Sequence, residues 1–123
     1  MILKLKERVN KIMFINISNT LSKDWEPNKT QEAQKWGKII DIEFPYIDPM
    51  SSDDIFEETV DESKDKIKKL NPKKGDCVCI EGEIGITFDI IDYVHSCLNY
   101  VVCCYPVIDN DKNFIKFRFF YIM

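Results

Sequence analysis

Short apolar runs bounded by polar residues recur along the chain, and each has the length of a strand. A run that shows no alternation is typical of a strand buried on both faces of a sheet. The last run alternates in part, and it places Lys116 and Arg118 on one face because the side chains of a strand alternate. The pattern predicts five strands, near residues 12–18, 38–44, 76–80, 100–105 and 114–121.

Three of the intervening segments have the features of helices, whereas residues 19–28 are polar, contain Pro27 and are predicted to form a loop. The first helix covers residues 29–36, the second begins at the capping residues 51–54, and the third covers residues 86–95. Apolar residues at helical spacing predict the buried side of the second helix (Ile55, Phe56, Val60, Ile67, Leu70) and of the third (Phe88, Ile91, Tyr93, Val94, Leu98).

The order of these elements is β-α-β-α-β-α-β-β, which predicts an α/β fold. Strands that alternate with helices form a mostly parallel sheet with right-handed crossovers. The last two strands are close enough in sequence for a C-terminal β-hairpin at one edge of the sheet. With 123 residues the chain has the size of one domain. We assign residues 13–123 to it and treat residues 1–12 as an N-terminal extension.

The charge and hydropathy of the chain exclude some classes of partner. Seventeen basic and 21 acidic residues give a net charge of −4, whereas proteins that bind long nucleic acids neutralise phosphates with clustered Lys and Arg. A small anionic ligand stays compatible with this charge. The sequence contains no apolar run long enough to cross a bilayer and no signal peptide, so we predict a cytoplasmic protein without a membrane partner.

Cysteines and histidine give no indication of a metal site. The five cysteines lack CxxC spacing and are odd in number, which favours reduced, buried thiols, and we predict neither a metal nor a cofactor. The single histidine, His95, lies within a predicted helix and is expected to be a surface or half-buried structural residue.

Ligands of open α/β sheets bind outside the carboxyl ends of the strands, near the point where the strand order switches. This rule selects residues that follow three predicted strands. They are Asn16, Ser18, Asn19 and Thr20 after the first strand, Gly82, Glu83, Gly85 and Thr87 after the third, and Cys104, Tyr105 and Pro106 after the fourth.

Each of these features also has a purely structural interpretation. The turn from Gly82 to Gly85 can offer backbone N–H groups to a phosphate, or it can need glycine for its geometry alone. Glu83 is a candidate general base without a histidine nearby in the sequence. Lys116 and Arg118 can contact a phosphate, or they can be the charges that protect an edge strand from aggregation.

Four segments resemble a family of small stand-alone CRISPR-associated proteins of type III systems, which are minimal relatives of the CARF sensor domain. The segments are Phe14–Asn19, Ile40–Pro45 with Asp48 and Pro49 after it, Glu81–Glu83 followed by Thr87 and Phe88, and Lys116–Phe119. The resemblance implies a three-layer, Rossmann-like (CARF-like) fold. It also implies a homodimer that binds cyclic oligoadenylate, with cyclic tetra-adenylate as the expected ring, and a metal-independent ring nuclease in which a ribose 2′-hydroxyl attacks the adjacent phosphorus.

The resemblance also implies roles for individual residues. Glu83, Thr87 and Lys116 would be catalytic, and the ligand-binding residues would be Asn16, Ser18, Asn19, Gly82, Gly85, Tyr105 and Arg118. The sequence departs from the family after the fourth strand, where residues 103–109 contain no Lys or Arg. The missing basic residue puts cleavage of the ring in question more than binding of the ring. Two alternatives therefore stay open: a non-catalytic sponge or sensor of the same ligand, and a small α/β protein-interaction module.

Overall fold

A computed structural model describes residues 12–98 and 100–120. They form five strands, three α-helices and a short 3₁₀ helix at Ser22–Asp24. The strands are β1 (Met13–Ser18), β2 (Lys38–Glu43), β3 (Cys77–Glu81), β4 (Val102–Ile108) and β5 (Phe114–Phe120). The helices are α1 (Pro27–Gln34), α2 (Asp53–Lys69) and α3 (Ile84–Cys97). None of these helices is both long enough and apolar enough to span a membrane.

The strands form one mixed sheet with the order β2-β1-β3-β4-β5. β1 to β4 are parallel, and β5 pairs with β4 in the antiparallel direction. The predicted α/β class, the mostly parallel sheet and the C-terminal hairpin at one edge are therefore confirmed. β1 and β3 lie in the interior of the sheet, and the residues of β1 after Met13 are all buried, as predicted from its short apolar run.

Each face of the sheet is covered by a different set of helices. On one face, Ile15, Ile17 and Ile80 pack against Val60 of α2 and Ile90 of α3. On the other face, a second cluster contains Ala33 of α1 together with aromatic and thiol side chains: Phe14, Trp25, Cys77, Cys79, Cys104, Phe114 and Phe117. The fold therefore has three layers with two separate apolar cores.

Several helix predictions need correction. Pro27 begins α1 instead of lying in a loop, because proline lacks the N–H that the first turn of a helix leaves unpaired. Ile55 and Phe88, which were predicted to face the core, are 51% and 66% exposed. The start of α2 is confirmed, since Ser52 caps it by accepting a hydrogen bond from the Ile55 N–H (3.3 Å).

The fourth strand is longer than predicted. β4 continues to Ile108, so Pro106 is not a residue after the strand but pairs with Phe117 of β5. A register irregularity between Val107 and Ile108 accompanies this extension. Cys104 and Tyr105 consequently lie inside β4, and the prediction that they follow the strand end is wrong.

Four of the five cysteines are buried, as predicted, whereas Cys97 lies exposed on α3. The Sγ atoms of Cys77 and Cys104 are 3.4 Å apart, and both belong to the aromatic core. Hydrogen bonds with Cys77 and Cys79, together with burial, raise the pKa of the Cys104 thiol above its ordinary value. Burial, reinforced by the neighbouring thiols, raises the pKa of Cys103 to about 12.

The buried carboxylate of Asp76 ties the amino ends of two strands together. It accepts hydrogen bonds from the N–H groups of Met13 (2.8 Å) and Lys73 (2.7 Å). The backbone carbonyl of the same residue accepts from the N–H of Val102 (3.0 Å). One residue therefore links β1, the turn before β3, and β4.

Candidate ligand site at the carboxyl edge of the sheet

The strand order reverses direction at β1. The chain passes from β1 to β2 on one side and later returns to β3 on the other side. A crevice outside the carboxyl ends of β1 and β3 is the expected ligand position in such a sheet. Ser18, the last residue of β1, is in register with Glu43 of β2 and Glu81 of β3, so carboxylates stand on both sides of this crevice.

A cavity of about 370 Å³ lies at this edge. Its walls come from the segment that follows β2, from the loop after β1 and from the start of α3: Glu43, Phe44, Pro45, Tyr46, Ile47, Asn19 and Glu83. Tyr46 is 85% exposed at the cavity, whereas Phe44 is buried. Among the described residues that line it, two are carboxylates and none is basic.

Glu83 caps helix α3. Its two carboxylate oxygens accept hydrogen bonds from the N–H groups of Gly85 and Ile86, both at 2.9 Å. These N–H groups are the ones that the glycine turn was expected to offer to a phosphate. The Glu83 carboxylate therefore occupies the position in which a phosphate would bind these N–H groups. This favours the interpretation that the turn only starts the helix.

Gly82 has a packing role in the same turn. The ring of Phe44 lies over it so closely that a Cβ atom at position 82 would stand 2.3 Å from two ring carbons. The close approach lets Phe44 form a wall of the cavity directly against the backbone of the β3–α3 turn. Position 82 therefore needs glycine, because any Cβ atom there would overlap the ring of Phe44.

We predict that Gly82→Ala displaces Phe44 and destabilises the fold by about 1–3 kcal/mol, because the extra methyl group overfills the contact. Urea unfolding followed by circular dichroism measures this change. The double variant Gly82→Ala/Phe44→Leu removes the clashing ring, and we expect it to recover part of the loss. Equal stability of Gly82→Ala and the unsubstituted chain would contradict the assigned contact.

Asn16 and Ser18 hold the loop that follows β1. The Nδ2 group of Asn16, the Oγ group of Ser18 and the indole N–H of Trp25 all donate to the carbonyl oxygen of Thr20, at 3.1, 2.9 and 3.2 Å. The Asn16 amide also donates to Asp41 (2.8 Å), and its own Oδ1 is buried without a hydrogen-bond partner among the described residues. Both predicted ligand-binding side chains are therefore engaged in shaping the loop.

The comparison with known families identifies the chain. The model of the "Uncharacterized protein MJ1673 family" matches residues 12–108, which is well over half of the sequence. The chain belongs to the MJ1673 family. No curated protein and no solved structure gave a match.

The MJ1673 family match covers every residue that lines the carboxyl-edge cavity, whereas β5 with Lys116 and Arg118 lies beyond it. Of the predicted site residues, the structure brings Asn19 and Glu83 to this cavity. Sequence reasoning missed Glu43 and the wall of residues 44–47. The sequence places Pro45 and Tyr46 after a strand, and therefore at the same edge of a parallel sheet, but it does not show that this strand lies beside β1.

Other predicted residues of this MJ1673 family member lie on the side of the sheet where the hairpin is. Tyr105 pairs with Arg118, whose Nη1 donates to the Tyr105 hydroxyl oxygen at 3.4 Å, and Lys116 pairs with Val107. Two strands separate β5 from β1. Thr87 lies one turn into α3, and its buried Oγ1 has no partner among the described residues. The residues predicted to be catalytic are thus distributed over α3 and the far edge strand.

The size of a cavity does not by itself select the site. A larger cavity of about 700 Å³ lies at the amino ends of the strands, where Met13, Lys38, Ile40, Leu70 and Asp76 are among its walls. The topological rule places ligands at the opposite edge. Within residues 12–98 and 100–120, no group of three or more His, Cys, Asp or Glu side chains is arranged to hold a metal ion.

Proposed function

We propose that the protein binds cyclic oligoadenylate, with an adenosine unit seated in the cavity at the carboxyl edge of β1, β2 and β3. The observation that carries the proposal is this cavity itself, because it lies at the switch point and combines an aromatic residue with hydrogen-bond acceptors. The identity of the ring rests on the resemblance to CARF-like proteins. A Rossmann-like domain, a cytoplasmic location and a homodimer belong to the same proposal.

An exposed aromatic residue at the cavity supports binding of a base. Tyr46 stands 85% exposed beside Pro45 and Ile47. Aromatic side chains of this kind stack on the faces of unpaired bases, and each such contact typically contributes about 1–3 kcal/mol. A tyrosine that is so exposed contributes little to the core, so its place at the cavity is best explained by stacking with a ligand.

The carboxylates of the cavity suit ribose hydroxyls and base amino groups better than phosphates. Hydroxyl and amino groups donate hydrogen bonds, and Glu43 and Glu83 can only accept them when ionised. In nucleotide-binding α/β proteins, an acidic residue commonly accepts a hydrogen bond from a ribose hydroxyl. We therefore expect the adenosine units to enter the cavity while the phosphates stay in solvent, away from the two carboxylates.

The geometry favours binding over cleavage. Glu83 is held in the helix cap by two N–H groups, so it is not free to orient a 2′-hydroxyl as a general base without breaking the cap. Lys116 extends from β5, at the opposite edge of the sheet from β2. This arrangement supports the sponge or sensor alternative, and turnover of the ring would require Glu83 to leave its cap.

Incubation with cyclic tri-, tetra- and hexa-adenylate in EDTA tests the proposal. Equilibrium dialysis measures retention of each ring, and chromatography detects linear products. Retention of one intact ring supports the sponge or sensor, and linear products over many turnovers establish a metal-independent ring nuclease. If no ring is retained or cleaved, the proposal is wrong and the interaction module becomes the better interpretation.

We predict that Tyr46→Ala weakens retention of the ring by about tenfold or more, because it removes the stacking surface. Met50→Ala is the matched control, since Met50 is equally exposed and does not line the cavity. Dialysis at a series of ring concentrations gives both dissociation constants. Equal weakening in the two variants, or none in either, would contradict the role assigned to Tyr46.

A further inference from the structure

One strip of the sheet has no described helix over it. α2 and α3 cover the face that contains Ile15 and Ile80, and contacts between Phe56 and Gly85 and between Lys64 and Tyr93 place α2 along one flank of α3. On that same face, β4 and β5 contribute a strip beyond the other flank of α3. Its side chains are Tyr105, Val107 and Phe120, which are half-buried, and Lys116 and Arg118, which are exposed.

Helix α3 carries an exposed ridge on the side that does not face the core. Ile84, Phe88 and Asp92 are four residues apart and therefore lie one above another. Ile84 is 70% exposed and Phe88 is 66% exposed, although the buried row Ile86, Ile90 and Val94 lies on the same helix. Large apolar side chains that are exposed together typically mark an interaction surface.

The charges of this surface are unpaired and opposite in sign. The ion pair found among the described residues is between Lys35 and Glu32, so Lys116, Arg118 and Asp92 have no oppositely charged partner within the described ranges. The basic pair stands on the strip and the acid stands on the ridge. Under a two-fold axis that sets the ridge of one copy on the strip of the other, each acid would meet a basic pair and Phe88 would face Tyr105.

We infer that the helix ridge and the hairpin strip form an interface between two copies of this chain. The interface is isologous, with an apolar centre and a rim of opposite charges, which is the usual anatomy of such contacts. The strip lies on the β4–β5 side of the sheet, whereas the ridge begins at Ile84, directly after Glu83 of the cavity wall. The inference names the surface through which the homodimer of the proposed function forms, and because its test uses no nucleotide, dimerisation and ligand binding can fail separately.

A charge-swap cycle on the full chain tests the interface without any nucleotide. Sedimentation equilibrium gives the dimer dissociation constant of the unsubstituted chain, of Asp92→Lys, of Lys116→Glu/Arg118→Glu, and of the chain that combines all three substitutions. We expect the dimer dissociation constant of each of the first two variants to rise at least about tenfold, because like charges then face each other across the interface. We expect the combination to recover most of the affinity, because opposite charges face each other again.

Exposed apolar residues elsewhere supply the matched control. Ile84→Ser/Phe88→Ser removes the apolar side chains of the ridge and is expected to abolish the dimer. Ile55→Ser/Met50→Ser changes exposed apolar residues outside the proposed interface and is expected to leave the dimer intact. Far-ultraviolet circular dichroism confirms that each variant is folded. A chain that is monomeric at every concentration, or a dimer that both charge reversals leave unchanged, would overturn the inference.

Discussion

Raising the pH from 8.5 to 10.5 is expected to lower the free energy of unfolding by at least about 2 kcal/mol, because the buried Cys103 thiol resists ionisation and the Cys104 thiol acts in the same direction. Burial raises the pKa of Cys103 from 9.0 to about 12, and hydrogen bonds with Cys77 and Cys79 raise the pKa of Cys104. In the unfolded chain both thiols lose their protons above pH 9 or so. The folded state then binds more protons than the unfolded state, so stability is complete below that pH and falls as the pH rises further.

A variant that lacks Cys103 and Cys104 separates this effect from the titration of lysines, tyrosines and the other cysteines. Guanidinium unfolding at several pH values gives the slope for the unsubstituted chain and for Cys103→Val/Cys104→Val. We expect the slope of the double variant to be smaller by at least about 1.4 kcal/mol per pH unit, which is the contribution of Cys103, and the loss of Cys104 lowers it in the same direction. Parallel pH profiles for the two proteins would show that the thiols ionise in the folded state as readily as in the unfolded one.

Phe14→Ala is expected to cost about 3–5 kcal/mol, since it removes the centre of the aromatic core. Phe14 is fully buried, and its ring centroid lies 5.0 Å from that of Phe117 and 6.3 Å from that of Trp25. Removal of the ring loses apolar burial and two aromatic contacts, and it leaves a cavity that the flanking strands β2 and β3 cannot close.

Phe88→Ala is the matched control for this substitution, because it removes the same side chain from an exposed position. We expect it to change the stability of the monomer by no more than about 0.5 kcal/mol. Urea unfolding at a protein concentration that keeps the chain monomeric measures both values. Similar losses for Phe14→Ala and Phe88→Ala would mean that the aromatic core has been placed wrongly.

The strands could be predicted from the sequence because their apolar runs are short, dense and clearly bounded. The run at residues 13–18 is apolar apart from Asn16 and Ser18, and it forms an interior strand whose side chains are buried on both faces. The turn residues between β4 and β5 were equally clear, and the antiparallel hairpin follows from their small number. Both features depend on local information alone.

The faces of the helices were harder to predict, because more apolar residues occur than one face can bury. In α3, the row Ile86, Ile90 and Val94 lies against the sheet, and Phe88 then points away from it. In α2, Phe56 is partly buried against the core and its neighbour Ile55 is exposed. Periodicity shows that a helix has an apolar side but does not choose between adjacent rows.

The edge of the sheet that holds the site was predictable, but the members of the site were not. Asn19 and Glu83 follow β1 and β3, so the carboxyl-edge rule selects them directly. Glu43 and Tyr46 were missed because they line the cavity only when β2 lies beside β1 in the sheet. The order of strands across a sheet depends on tertiary packing, and the sequence pattern specifies only their order along the chain.

The link that Asp76 makes between distant segments has a consequence for synthesis of the chain. As residues leave the ribosome, β1 can pair with β2, but its other side and the N–H of Met13 find their partners only after residue 76 and β3 have emerged. β3 in turn pairs with β4, which lies later still. Contacts between such distant positions slow folding. The first half of the chain therefore has no complete sheet of its own, and its apolar strands need protection until the second half arrives.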